Sequence, residues 1–528
     1  MRRAYAVSLG CLLGLGLTAQ FAGATCDSAY VSHNGSTWTV LPTGIDDADN
    51  LACAFDEAVA AGSGSVVRLV AAEYVLLRPI AVRYEGDLTW RGAGRNRTII
   101  NAGSEATLFP LLVKEGYYPE PGSPSVIVFH QDEDGWVGPD GEALTSKLLL
   151  KGFTIRLRGL SESWEDAFGT ISQTRSIIDV TGRIDGLRNF EASRVQLTMD
   201  HVRLQGEDCA GGVCDFLDWT AHNGLTVGGE PVITIDGEGR ALIEYSKPLV
   251  ADTDIAYCVF ERIGFAAGHT DAEESSIQVF DSRFTDVGVA YFLQDANGGR
   301  VNVWRNQMSG IAYYGIIVIH GLTGVFGNEM GPVTERFPTT TTGIEISKNT
   351  IRCTGELAEC VVIEDYTVLN LPENQLMLEA DVAENFIKLT APAYAAVGSY
   401  YSRGVNIFGN IIVGEGVAGI YTHFGGYWTI VGNLVSIRSG IPIWLEEQST
   451  DSAIDRNLIL GRGGDAAIQI DGVGHQVSGN FVRWFRPNVA HYWLTATSAQ
   501  NDLVVAEVDT VLDEGTENTV TLEIVPAP

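Results

Sequence analysis

Tyr400, His423, Glu446 and Asp471 have the types that acid–base chemistry needs, and each sits in a short apolar segment whose residues alternate. With Ile420, Thr422 and Phe424, then Ile441, Ile443 and Leu445, then Ile468 and Ile470 turned inward, a definite outward set remains. It is Tyr421 with His423, Trp444 with Glu446, and Gln469 with Asp471. By the same alternation Glu364 and one of Tyr400 and Tyr401 join them, and Arg403 lies close by, with Arg438 and Arg462 beyond. Polar, aromatic and acidic residues on one face of segments otherwise built from Ile and Val make a sugar site. Two reactions are compatible with it. Hydrolysis of a glycosidic bond needs two carboxyl groups about 5 Å apart for retention, or about 6.5–9.5 Å for inversion. Taken as one coil and two strand positions apart, Glu446 and Asp471 are separated by roughly 8 Å, in the inverting range. Elimination from a uronic acid instead needs a base, here His423, Tyr400 or Arg403, and a cation, Arg or Ca²⁺, against the sugar carboxylate. In either case Trp444 offers a stacking platform, with Tyr421, Glu364, Arg403 and Gln469 as further substrate contacts.

A repeat positions these segments. An apolar residue, two residues, Asn, one residue and a second apolar residue recur around Asn306, Asn349, Asn385, Asn410, Asn433, Asn457 and Asn480. The last three intervals are 23, 24 and 23 residues; earlier ones of 43 and 36 accommodate inserted loops, and Ser282 stands 24 residues before Asn306. Asn tolerates a left-handed backbone and so can turn one strand into the next. Stacked Asn side chains can also hydrogen-bond along a column. Strands of four or five residues joined by such turns, at about 23 residues per coil, describe a single-stranded parallel β-helix, an all-β solenoid with coils roughly 4.8 Å apart.

The N-terminal half follows the same plan. Asp46 to Asn50 precede Leu51 to Val59, whose apolar residues fall at helical spacing, so a helix is expected to cover the open end of the solenoid. Gly64 to Leu69, Glu73 to Leu76, Leu88 to Gly94 and Thr98 to Ile100 follow as strands and turns. This opening resembles that of the pectate-lyase-like superfamily of right-handed parallel β-helix proteins, and the resemblance extends in architecture over most of the chain. It implies a substrate groove along the sheet formed by Gly315 to His320, Cys360 to Tyr366, Val397 to Tyr401, Gly419 to Phe424, Ile441 to Glu447 and Ala467 to Asp471. It specifies a fold and no single activity, because its motifs are those of turns and strands.

Composition narrows the partners. Sixty-six acidic against 34 basic residues give a formal charge of −32. A nucleic-acid binder needs a basic stripe to displace counterions from phosphates, and none is present. Arg2 and Arg3, the apolar run Val7 to Leu17 and the Ala22-Gly23-Ala24 site read as an export signal, which places the mature chain outside the cytoplasm, secreted or periplasmic. No other apolar run reaches transmembrane length. Of eight cysteines, Cys11 leaves with the signal. Pairing is expected for Cys26 with Cys53, Cys209 with Cys214 and Cys353 with Cys360, leaving Cys258 as a buried thiol. Residues 1–24 are thus the signal, 25–62 the N-terminal segment and capping helix, and 63–485 the β-helix with long loops at about 110–146 and 205–250. Residues 486–528 form a C-terminal cap. No cofactor motif is present, and the remaining histidines lack metal-ligand spacing. Ca²⁺ is the ion that acidic stretches such as Asp132-Glu133-Asp134 and Asp140-Gly141-Glu142 would take, though neither has EF-hand spacing. Two functions fit: a secreted polysaccharide-degrading lyase or glycoside hydrolase, or a non-catalytic glycan-binding surface protein. The flat sides of a β-helix would also permit a homo-oligomer such as a trimer.

Overall fold

The computed structural model describes residues 26–77, 80–84, 86–103, 125–131, 145–158, 164–165, 171–172, 176–183, 193–206, 223–228, 231–235, 241–245, 249–270, 275–294, 299–320, 342–365, 378–461, 463–484, 489–506 and 509–523. The segment expected to be an export signal, Cys209 with Cys214, the acidic stretches at 132–134 and 140–142, and Arg462 lie outside them.

Successive coils pair strand upon strand in parallel. Ile420 stands on Ile443, Ile443 on Ile468, and Ile468 on Tyr492, and so on down two long sheets of 17 and 24 strands. Inward residues stack Ile, Val and Leu into one continuous apolar column; Ile420, Thr422, Ile443, Leu445, Ile468 and Ile470 are at most 1% exposed. Many strands have the expected four or five residues, but some are much longer. Phe386–Arg403 and Ile411–Gly426 each run around a corner of the coil as one strand. Gly414 makes such a corner possible: its φ is +134°, and a Cβ there would lie 2.0 Å from the Leu389 carbonyl oxygen.

The asparagine column is present. Each amide passes a hydrogen bond to the next, from Asn306 through Asn349, Asn385, Asn410, Asn433 and Asn457 to Asn480, at 2.9–3.1 Å. One part of the expectation is corrected: the left-handed residue is the one before each Asn. Arg305, Lys348, Glu384 and Arg456 have φ of 52–57°, and glycine stands there at 409, 432 and 479. The turn directs the following Asn inward, where its amide serves the ladder, so the strained backbone falls on an exposed neighbour that needs no interior contact.

A second corner repeats the device with other residues. Trp428 N–H donates to Ser452 Oγ, Ser452 N–H to His475 Nδ1, His475 N–H to Asn501 Oδ1, and Asn501 N–H to Asn518 Oδ1. His475 therefore belongs to the scaffold, and burial depresses its pKa to about 4.

The helix Ala48–Ala60 buries Leu51, Ala54, Phe55 and Ala58 against the first coils. An antiparallel hairpin, Val31–Asn34 with Thr37–Val40, joins it at the N-terminal end, its second strand pairing with Val66–Leu69. Cys26–Cys53 and Cys353–Cys360 are disulfides, and Cys258 is a free buried thiol whose pKa burial pushes up to about 12. Three differences from the sequence reading concern coil boundaries. Ser125–Gln131 and Asn223–Gly228, inside the two long loops, are coil strands that pair with Ser176–Arg183. Asp502–Ala506 and Thr519–Glu523 prolong the parallel sheet instead of closing it. Among the described residues no helix is long and apolar enough to cross a membrane.

Candidate functional site

Register aligns the outward residues into columns. Glu364 stands beside Tyr400, Tyr400 beside His423, and the pairing of Thr422 with Leu445 and Leu445 with Ile470 sets His423, Glu446 and Asp471 level with one another. Two positions earlier runs the column Gly398, Tyr421, Trp444, Gln469. Glu446 and Asp471 are therefore direct neighbours across one coil. The offset of two positions behind the 8 Å separation, and with it the argument for an inverting pair, is not present. Two inward assignments also change: Ile441 is half-buried beside Ala418, and Phe424 turns at φ +51° to stack on Tyr401 at 5.1 Å. Of the two tyrosines, Tyr400 faces the column, while Tyr401 occupies the turn at φ +53°.

Small residues make room for large rings on this outer face. Ala395 and Ala418 floor a cluster in which Tyr421, only 4% exposed, packs among Tyr394, Tyr400 and Trp444. Tyr421 meets the rings of Tyr394 and Trp444 edge-on at 5.2 Å each. Burial of these phenols penalises the phenolate, so the pKa values of Tyr394, Tyr400 and Tyr421 all rise and the hydroxyls stay protonated.

The hydroxyls are aimed at carboxylates. Tyr421 donates to Glu446 Oε2, and Tyr400 donates to Oε1 of Glu359. His423 Nδ1 approaches the same Glu446 oxygen to 2.5 Å, out of line for a hydrogen bond. Trp444 Nε1 donates to Asp471 at 2.7 Å, and the Gln469 amide donates to both oxygens of Asp471 at 3.0 and 3.1 Å. Asp471, 8% exposed and engaged by both donors, orients Trp444 more readily than it attacks a substrate. Arg403 is buried three residues beyond Tyr400, in register with Gly426.

Glu359 and Tyr394 escaped the sequence reading. Glu359 precedes Cys360, the first residue of the strand expected from the sequence, yet it pairs with Ala395 and faces outward. It is 7% exposed, and burial pushes its pKa from 4.5 up to about 7, helped by the charge of Glu364 and opposed by the Tyr400 hydrogen bond. A recognisable signal was Gly398, two residues before Tyr400 on the outward face. A Cβ there would lie 2.8 Å from the Tyr400 ring and 2.9 Å from Glu359 Oε1, so only glycine lets the ring lie back onto the acid.

Two predictions follow from this corner. Gly398→Ala should part Tyr400 from Glu359 and lower turnover up to about 100-fold with little loss of stability, read by kinetics beside a thermal melt. Glu359 also makes stability pH-dependent. Its folded pKa lies above its unfolded value, so its contribution is complete below about pH 4.5 and is lost as pH rises through about 7. Glu359→Gln should flatten that fall in melts recorded across this interval.

No family model matches the sequence, and no curated protein matches it. Solved structures do. The A-module of mannuronan C-5 epimerase AlgE6 from Azotobacter vinelandii gives a TM-score of 0.37 at 12% identity, covering 92% of this chain and 96% of that one. DFA-IIIase from Arthrobacter chlorophenolicus A6 without its lid gives 0.43 at 12%, covering 93% and 97%. The periplasmic alginate epimerase AlgG gives 0.34 at 8%, covering 94% and 81%. The chain is a parallel β-helix by its own coil-on-coil strand pairing. At these scores and identities the likeness carries no argument, and both fold and chemistry rest on this chain's own residues.

Proposed function

We propose that this face binds an extracellular polysaccharide containing uronic acid and cleaves it by β-elimination. The observation that carries the reading is the adjacency of Tyr400 and His423 on neighbouring coils, each backed by its own acid, Glu359 and Glu446. Elimination needs two proton transfers on one sugar unit. A base takes the proton beside the carboxylate, and an acid protonates the departing glycosidic oxygen as the C=C bond forms. His423, with Nδ1 toward Glu446, turns its Nε2 away as the base. Tyr400, held as a phenol, is the acid: with Glu359 protonated, below about pH 7, the carboxyl donates to the phenol oxygen instead of accepting from it, which frees the phenol proton for the glycosidic oxygen and then replaces it. Glu446 and Glu359 are positioning residues in this scheme.

Hydrolysis is less well served. Asp471 is engaged by Trp444 and Gln469, and Glu446 and Glu359 each accept from a tyrosine hydroxyl, so among the described residues no two carboxyl groups of this face stand ready as acid and base. A cation such as Ca²⁺ would neutralise the sugar carboxylate; among the described residues no three acidic or histidine side chains converge on this face, so it would arrive with the polysaccharide. The experiment is incubation with uronic-acid and neutral polysaccharides, with and without Ca²⁺, following ultraviolet absorbance and reducing ends. Rising absorbance on uronates alone supports elimination. Reducing ends without absorbance overturn it in favour of hydrolysis, and binding without either product favours a glycan-binding surface.

A further inference from the structure

A second set of aromatic rings lies around the asparagine corner, several coils toward the N-terminal end and away from the Tyr400 cluster. Tyr257 is 46% exposed and packs edge-on against Phe280 at 6.2 Å, and Phe280 stacks on Trp304 at 5.2 Å. Arg305 lies over the Trp304 ring at 3.8 Å and is held by Asp281 at 2.5 Å. These residues edge a cleft of about 500 Å³ lined by Tyr257, Asp281, Ser282, Arg283, Arg305 and Gln307.

The composition of this cleft is unusual for the chain. In a protein of net charge −32, two exposed arginines face it against one aspartate. An exposed phenol ring offers a platform for a sugar face. The arginines and Gln307 offer fork and amide donors that match a carboxylate and its neighbouring hydroxyls. Backbone geometry holds the platform in place: Tyr257 sits at φ +54° in the turn, and its carbonyl accepts a 2.9 Å hydrogen bond from Arg95.

We infer that this cleft is a second glycan-binding site, taking one acidic sugar residue of a polysaccharide on the Tyr257 ring with its carboxylate against Arg283 and Arg305. The inference rests on the uronate reading of the Tyr400 face and adds to it a remote hold on the polymer. Two sites on one rigid solenoid make engagement at the second intramolecular, so retention of a long chain gains without any change at the reacting bond.

The test is retention of the full chain on polygalacturonate and on neutral dextran in affinity electrophoresis, with turnover measured in parallel on a short uronate oligomer. Tyr257→Asn suits the left-handed backbone, and Arg283→Ser removes one fork from an exposed position. Each variant should weaken retention on the polyuronate about tenfold, leave dextran migration unchanged and leave turnover of the oligomer unchanged. Unchanged retention in both variants, or equal loss on dextran, overturns the site. Retention that depends on Tyr257 without any turnover keeps the cleft and sinks the elimination reading. Turnover with retention indifferent to Tyr257 does the reverse.

Discussion

Replacing His423 with alanine is expected to lower turnover on a uronate polymer by roughly 10²–10⁴-fold, the usual contribution of a positioned general base. The fold should survive, because the ring lies on the outer face with 28% of its side chain exposed. Glu446 retains the Tyr421 hydroxyl as a donor after the change, so no carboxylate is left without a partner. The check is a kinetic comparison on matched, folded samples. A loss under threefold would place the base elsewhere.

The largest expected loss of stability comes from the asparagine ladder. Asn433 accepts from the Asn410 backbone and side chain at 2.9 and 3.0 Å. It also donates to the Ile407 carbonyl at 2.8 Å and to Asn457 at 3.0 Å. Asn433→Ala strands several buried groups at once, each worth about 1–3 kcal/mol, so urea unfolding should show a loss of about 3–6 kcal/mol. Asn406→Ala is the contrast: this side chain donates to Asp381 at 2.8 Å from the outer, partly exposed side of its strand. That change should cost no more than about 1 kcal/mol. Equal losses for the two would deny the ladder its special weight.

The Asn repeat was legible because it is a column of identical residues at one spacing, and its hydrogen bonds follow from that identity. The left-handed position was misplaced by one residue, because the same positions carry Arg, Lys, Glu and Gly, which share no side-chain chemistry. The second corner was invisible for a related reason. It is built from Trp428, Ser452, His475, Asn501 and Asn518, five positions of four types that only the stacked backbone unites. Alternation correctly turned Tyr421, His423 and Trp444 outward. It failed at Phe424 and Ile441 and did not reach Glu359, all of which lie where strands begin, bend or turn and period two breaks down. The relation of Glu446 to Asp471 was misjudged because alternation sets faces, whereas the level of one coil on the next is set by turn length.

The central claim is that Tyr400 and His423 together drive elimination, and the mass of the products tests it most directly. The protein incubated with a uronic-acid polysaccharide and Ca²⁺ should release oligomers whose new non-reducing ends are lighter by one water than hydrolysis would leave them. Oligomers bearing the full water of hydrolysis would contradict the account and return attention to Glu446 as one member of a hydrolytic pair.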